Sequence, residues 1–451
     1  MKKKLSFNQN LLIGSLLFGL FFGAGNLIFP VQMGQQAGNH TFAATIGFLI
    51  TGVGLPILGI IASALSRSES LFDMARPVGS KYSTIFTCLL YLTIGPLFAI
   101  PRTATVAFEV GIHPFISDGN LKLGLIIFSL LFFVVTIYFS LKPGQILDWV
   151  GRYLTPIFLV LLSVLLIATF VNPMGHVSDY AAQGNYVAKP LFTGLLDGYN
   201  TMDALASVAF AIIIISNIQK LGVTDPRFIA VETTKSGLVS IVGMAIIYAS
   251  LAYMGATSLG SVSRADNGGS ILSMVSNHYF GVVGKVLLAA IVIVACVKTA
   301  IGLITSCSEM FSEMFPNSIS YKKYAIAFTL FSFVIANFGL SNLIKFSIPV
   351  LMFLYPLVIT LILLSILAPF IKKQSYVYKW TTGLTVIAAI FDFLKALPES
   401  LQGSVATNLV SFAATYLPGF NYGFGWILPA LCGFVIGMIL WGGRGNKSDT
   451  V

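Results

Sequence analysis

Two short stretches buried in long apolar runs carry residues able to bind a ligand through their backbone. The first is Gly23-Ala24-Gly25-Asn26, inside LLIGSLLFGLFFGAGNLIFPVQM (11–33). The second is GLLDGYNTMDALASVAF (194–210), where Gly194, Gly198, Asn200 and Asp203 interrupt the run. In hydrocarbon every unpaired backbone amide or carbonyl is costly, so an interrupted helix persists only against protein or a polar cavity. Broken helices of this kind present half-helix N-termini to anions and freed carbonyls to cations. Plainer alternatives stand beside this. Gly and Pro30 are common in membrane helices and only kink the first run. In the second, 189–203 is an outer loop and the span starts near Ala204.

Four ionisable residues join these stretches at membrane depth, where each costs at least ~2.5 kcal/mol and is a functional candidate by default. Arg102 and Glu109, in GPLFAIPRTATVAFEVG (95–111), are seven residues apart on one helix face, roughly 10 Å apart along the axis. We assign both to structural packing or gating in a helix kinked at Pro101. Asp203 is the candidate for organising the unwound segment, because a carboxylate accepts freed backbone amides. Lys298 lies deep in AAIVIVACVKTAIGLITSCSEMF (289–311) beside Thr299; it snorkels, pairs with a carboxylate, or holds a positive charge at a cation position. Thr299 and Ser306 share a face and offer oxygens to a hard monovalent cation, or else bond their own helix.

These residues need a membrane framework, and composition supplies one. The chain has 451 residues, 56% hydrophobic and 9% charged, with a mean hydropathy of +0.89; soluble proteins carry about 25% charge. A net charge of +10 then reflects cytoplasmic loops and no nucleic acid. Twelve candidate spans follow: 10–33, 41–66, 82–112, 121–141, 145–171, 189–217, 234–258, 281–311, 323–341, 346–370, 379–397 and 424–442. Lys2, Lys3, Lys4, Arg67, Arg76, Lys81, Lys142, Lys220, Arg227, Lys322, Lys323, Lys372, Lys373, Lys379, Arg444 and Lys447 fall on one side of such a layout. The positive-inside rule makes that side, and both termini, cytoplasmic. Met1–Lys4 before an apolar run imitates a signal peptide, but the run is too long and hydrophobic segments continue. The longest polar connections (172–188, 259–280, 396–423) lie outside, and SILSMV in the middle one reads as a helix lying as a lid over an outer vestibule, the alternative being a loop that merely packs. Cys88, Cys296, Cys307 and Cys432 lack metal or disulfide spacing and read as small core residues.

If spans one to five and six to ten are inverted repeats, span six is interrupted where span one is, the best sequence pointer to a transporter's midplane site. His40, His113, His176 and His278 fall in external loops or their edges, with no HExxH. That speaks against an intramembrane enzyme. The absence of GxxxxGK[ST] speaks against ATP-driven transport, and the absence of a repeated filter sequence against a channel.

Several long strings then carry a resemblance: FGAGNLIFP (22–30), GFLITGVGLP (47–56), GPLFAIPRTATVAFEVG (95–111), GYNTMDALASVAF (198–210) and TAIGLITSCSE (299–309). Over its whole length the chain resembles branched-chain amino acid:cation symporters, the BrnQ-type system II carriers. The resemblance implies an all-α integral membrane protein of about twelve transmembrane helices, a LeuT-type 5+5 inverted repeat with helices 1 and 6 broken. The repeats would be 10–171 and 189–370, followed by two further helices at 379–442. It implies a secondary active transporter, not an enzyme, in a bacterial plasma membrane. It would import Leu, Ile and Val with a cation and use no cofactor. The amides around Gly23, Ala24 and Gly25 would hold the substrate carboxylate, with Asn26 also among the substrate-binding residues, and carbonyls at Tyr199, Asn200, Thr201 and Met202 would meet its ammonium. A cation site would use Gly19, Phe22, Ala295, Lys298 and Thr299. Na+ is the expected ion, although Lys298 stands where relatives offer a hydroxyl; the alternative is a proton-coupled carrier or exchanger with the lysine in the ion's place.

Overall fold

Runs this apolar must satisfy their backbone internally, and a helix does so within one segment. The computed structural model describes residues 4–442 apart from 67, 69, 266, 372 and 373. Lys2, Lys3, Arg67, Lys372, Lys373, Arg444 and Lys447 of the basic set above therefore lie outside the described residues.

Helix is the only regular structure among the described residues. The first half comprises α1 (Phe7–Phe21), α2 (Ala24–Ala37), α3 (Thr41–Leu49), α4 (Leu55–Leu65), α5 (Leu71–Ala75), α6 (Ser80–Leu92), α7 (Ala99–Gly111), α8 (Leu121–Ser140) and α9 (Thr155–Val171). A short α10 (Asn185–Ala188) leads into α11 (Pro190–Tyr199), α12 (Asp203–Lys220), α13 (Pro226–Ser258), α14 (Gly268–Met314), α15 (Tyr321–Ala336) and α16 (Leu340–Ile371). Last come α17 (Ser375–Ala396), α18 (Ser404–Tyr416) and α19 (Ile427–Gly442). Each of the twelve sequence ranges carries helix. Nine helical segments among the described residues are long and apolar enough to cross a membrane, and Phe7–Phe21 and Ile427–Gly442 are shorter apolar helices. α18 falls in a stretch (396–423) expected to be loop.

Local chemistry sets the ends. Ser6 and Gln9 form a reciprocal capping box at α1, which satisfies two orphan amides. Asn267 Oδ1 accepts from Ser270 N–H at 2.9 Å to start α14. That helix bends at Gly281, whose combination of φ 57° and ψ −136° suits a residue without a side chain. The segment before the bend lies against α2 and α7: a Cβ on Gly268 would sit 1.9 Å from Ile28 O, and one on Gly269 2.6 Å from Val110 Cγ2. The stretch expected to form a lid is thus the first part of α14, and it carries His278 on helix instead of loop.

Side chains sort by layer. α8 turns Leu130, Leu131, Val134 and Val135 outward, α9 turns out Val160 and Ile167, and α19 Val435 and Ile439; this apolar coat suits lipid. In the interior, α1 packs on α12, α13 and α14, and α14 on α2 and α7. Both breaks, α1/α2 and α11/α12, therefore lie among helices, away from the coat.

Candidate functional site

The first break falls at Phe22 and Gly23. Phe22 N–H closes the last turn of α1 on Phe18 O at 2.8 Å. Gly23 is extended, and its N–H donates to Asn26 Oδ1 at 3.1 Å. The amides of Ala24 and Gly25, in the first turn of α2, have no intrahelical acceptor and stand at the positive end of that helix dipole. Of the three amides expected to meet an anion, one is thus already used inside the chain.

Gly23 is required by proximity. A Cβ there would lie 2.8 Å from Thr299 Oγ1 and 2.9 Å from Thr299 Cγ2. Gly23→Ala forces α1/α2 away from α14, and such overpacking costs ~1–3 kcal/mol. We expect uptake to fall roughly tenfold or more and Thr299→Ala, which removes both offending atoms, to restore much of it in the double variant. Equal loss in the single and double variants would contradict this.

The second break follows Tyr199. Thr201 Oγ1 donates to Gly198 O at 2.9 Å. Met202 then takes a left-handed conformation (φ 64°), the only non-glycine residue to do so among those described; such a residue stores ~1–3 kcal/mol and persists only where surroundings enforce it. Tyr355 OH donates to Tyr199 O at 2.7 Å, and the two rings stack at 4.0 Å between centroids. α12 begins on Asp203, an acid at a helix N-terminus, where the dipole favours it.

Asp203 joins the two breaks. Its Oδ2 accepts from Asn26 Nδ2 at 2.6 Å and from Tyr248 OH at 2.8 Å, and Asn26 Nδ2 also donates to Tyr248 OH. All three side chains are buried. The carboxylate thus ties the two breaks together through side chains of α2 and α13, and not through freed amides; the Asp203 N–H reaches only Thr201 Oγ1, at 3.4 Å.

Between the breaks lies a small cavity with two characters. Its lining combines Gly23, Gly25, Asn26, Arg102, Thr103, Thr201, Asp203 and Thr299 with the apolar side chains of Leu20, Phe21, Ile94, Ala99, Met202, Ala206, Phe210 and Leu303. Arg102 is 5% exposed. It stands over the Phe29 ring at 5.5 Å and makes a long 3.5 Å contact from Nη2 to Thr201 O. Glu109, its sequence companion, is elsewhere: near the C-terminal end of α7 it pairs with His113 at 2.8 Å, and both are half-exposed.

Beside the cavity, Lys298 Nζ donates to Gly19 O at 3.0 Å and, in a short contact, to Phe22 O. The side chain is fully buried. Its charge also faces the rings of Phe158 at 4.6 Å and of Phe18 and Phe22, both at 5.7 Å. Carbonyls at the negative end of α1 and three π-faces are an environment for a cation. Thr299 Oγ1 reaches Leu20 O at 3.3 Å. Of the five residues named for a cation site, Gly19, Phe22, Lys298 and Thr299 meet at the end of α1, and the two carbonyls a sodium ion would use are held by the Lys298 amine; Ala295 is buried on α14. Ser306 is not part of this set; its hydroxyl bonds Ala209 O at 3.0 Å. The rings and the partner tyrosines Tyr248 and Tyr355 went unnoticed in the sequence, where a phenol in the middle of an apolar run (IIYAS, FLYPL) was the available signal.

Comparison with known proteins gives the family and the fold. The family described as "Branched-chain amino acid transport protein" matches residues 6–442. The branched-chain amino acid permease BrnQ of Lactobacillus delbrueckii subsp. lactis is 49% identical over 437 residues, covering 97% of both chains. The permease BraB of Bacillus subtilis is 44% identical, covering 98% of this chain and 97% of its own. The Pseudomonas aeruginosa branched-chain amino acid transport system 2 carrier protein is 38% identical, covering 95% of each. Among solved structures, Mhp1, a nucleobase-cation-symport-1 family transporter, aligns at TM-score 0.59 and 14% identity over 98% of this chain and 94% of its own. MhsT, solved with L-phenylalanine, aligns at TM-score 0.56 and 15% identity over 98% and 99%. These two show the fold.

Proposed function

The chain belongs to the branched-chain amino acid transport protein family, and we propose that it imports leucine, isoleucine and valine across a bacterial plasma membrane, with proton movement through Lys298 as the coupling step. The family is one of transporters, so the intramembrane-enzyme alternative falls. We read twelve crossings, arranged as two inverted five-helix repeats (10–171, 189–370) and two further helices, with both termini cytoplasmic. The matched breaks at Phe22–Gly23 and Asn200–Met202 and the one-sided basic loops support that layout.

The cavity fits an aliphatic amino acid by the mixed chemistry of its lining, charged and polar groups together with apolar side chains. Amides of Ala24 and Gly25 meet the carboxylate at the N-terminus of α2. Asp203 and the carbonyls of the Tyr199–Met202 turn face the ammonium, although Tyr199 O already accepts from Tyr355. Ile94, Ala206, Phe210 and Leu303 take the side chain. An apolar wall discriminates weakly, since one methylene is worth only ~1–3 kcal/mol. In competition against labelled leucine, isoleucine and valine therefore compete with leucine within about a hundredfold, while alanine and charged amino acids compete poorly. Equal competition by alanine or lysine would sink the assignment.

One observation carries the coupling: the Lys298 ammonium donates to both Gly19 O and Phe22 O. With that amine in place the carbonyls do not fit a sodium ion as well, so no step is routed through one. The amine itself binds and releases a proton. Charge-assisted bonds are worth ~1.5–3 kcal/mol against ~0.5–1.5 for neutral ones, so deprotonation weakens the tie between α14 and the end of α1. Protonation from outside then favours the docked arrangement with substrate held, and loss of the proton inward frees α1 to move.

A further inference from the structure

We infer that Arg102 is the principal anchor of the substrate carboxylate; this rests on the reading that an α-amino acid occupies the cavity between the breaks. The guanidinium enters that cavity from α7 and lies over the start of α2, where a Cβ on Gly25 would meet Arg102 Nη2 at 3.1 Å. It therefore shares a location with the free amides of Ala24 and Gly25 and with the positive end of α2, and all three favour an anion.

What the guanidinium lacks within the protein is an acceptor. Arginine offers five N–H donors, yet this one has a single long contact, to Thr201 O at 3.5 Å. Among the described residues no carboxylate pairs with it. Asp203, the acid on the same cavity wall, is turned to Asn26 and Tyr248 instead. A guanidinium 95% hidden with most of its donors unmet is costly to keep unless a bound group completes it. A carboxylate does so with two parallel bonds. The Phe29 ring beneath it, at 5.5 Å from Cζ, fixes the plane from which it presents them.

The cavity then complements a zwitterion. Arg102 contributes a positive charge and Asp203 a negative one to the lining of the cavity, while the charge of Lys298 is absorbed by Gly19 O and Phe22 O. Selectivity for the α-amino acid grouping resides in Arg102 and Asp203, and selectivity for the tail in the apolar wall.

The test compares leucine with leucinamide, which keeps the ammonium and the side chain but lacks the anion. Binding of each is measured by thermal stabilisation of the purified full-length protein. Wild type prefers leucine by at least about tenfold, the worth of one charge-assisted bond or more. Arg102→Gln removes most of that preference, leaving what the Ala24 and Gly25 amides supply, and Arg102→Lys, which keeps the charge but not the fork, retains more of it. A merely structural arginine would weaken both ligands alike, so a wild-type leucine-to-leucinamide ratio in either variant overturns the inference. Absence of any stabilisation of wild type by leucine would overturn the substrate reading itself, a distinct result.

Discussion

Lys298→Met is expected to abolish concentrative leucine uptake driven by a proton gradient, a loss of about a hundredfold or more. Methionine fills similar space but carries no proton. It leaves Gly19 O and Phe22 O buried without the donor they now share, at ~1–3 kcal/mol each, and empties the ring cage of Phe158, Phe18 and Phe22 of its cation. Size-exclusion chromatography separates a folded, uncoupled carrier from a misfolded one. Lys298→Thr gives a sharper outcome: it sets a hydroxyl beside Thr299 and releases both carbonyls, an oxygen set of the kind a hard cation takes. Sodium-stimulated uptake is expected to appear in that variant. Proton-driven uptake that survives in Lys298→Met would show that the lysine does not couple.

The second large effect is at Asp203. Asp203→Ala removes the acceptor shared by Asn26 and Tyr248. Two buried donors are then unsatisfied, at ~1–3 kcal/mol apiece, and Asn26, which also caps Gly23 N–H, is free to turn. Both breaks lose their common tie, so leucine uptake should fall by about a hundredfold and the melting temperature should drop. Tyr248→Phe removes two bonds of the set, to Asp203 and from Asn26, but keeps the Asn26–Asp203 bond; it is expected to cost ~1–2 kcal/mol with uptake reduced but measurable. If Asp203→Ala and Tyr248→Phe proved equally mild, the network would be incidental to the site.

The breaks were legible because hydrocarbon leaves so few explanations for Gly23, Gly25, Asn26, Gly198 and Asn200 in apolar runs. The second break is a true interruption preceded by helix, α11, and not merely an outer loop before Ala204. The register of Lys298 against Gly19 and Phe22 came from resemblance; no periodicity pairs residues 279 and 276 positions apart. Tyr248, Tyr355 and Phe158 were not legible, since they reach the site only through packing of α13, α16 and α9. Arg102 was read as packing because sequence places it on a face but does not say where a long side chain points; in the structure it leaves Glu109 behind and lines the cavity. The helix 404–416 was missed because SVATNLVSFAATY mixes polar and apolar residues in a stretch that reads as loop.

The most direct measurement is labelled leucine uptake into sodium-free liposomes containing the purified protein, with an inward proton gradient imposed at clamped membrane potential. Accumulation above the equilibrated level, with added sodium changing it by less than about twofold, is the predicted result for a carrier whose cation position is held by Lys298. Accumulation that requires sodium and ignores the proton gradient would contradict it.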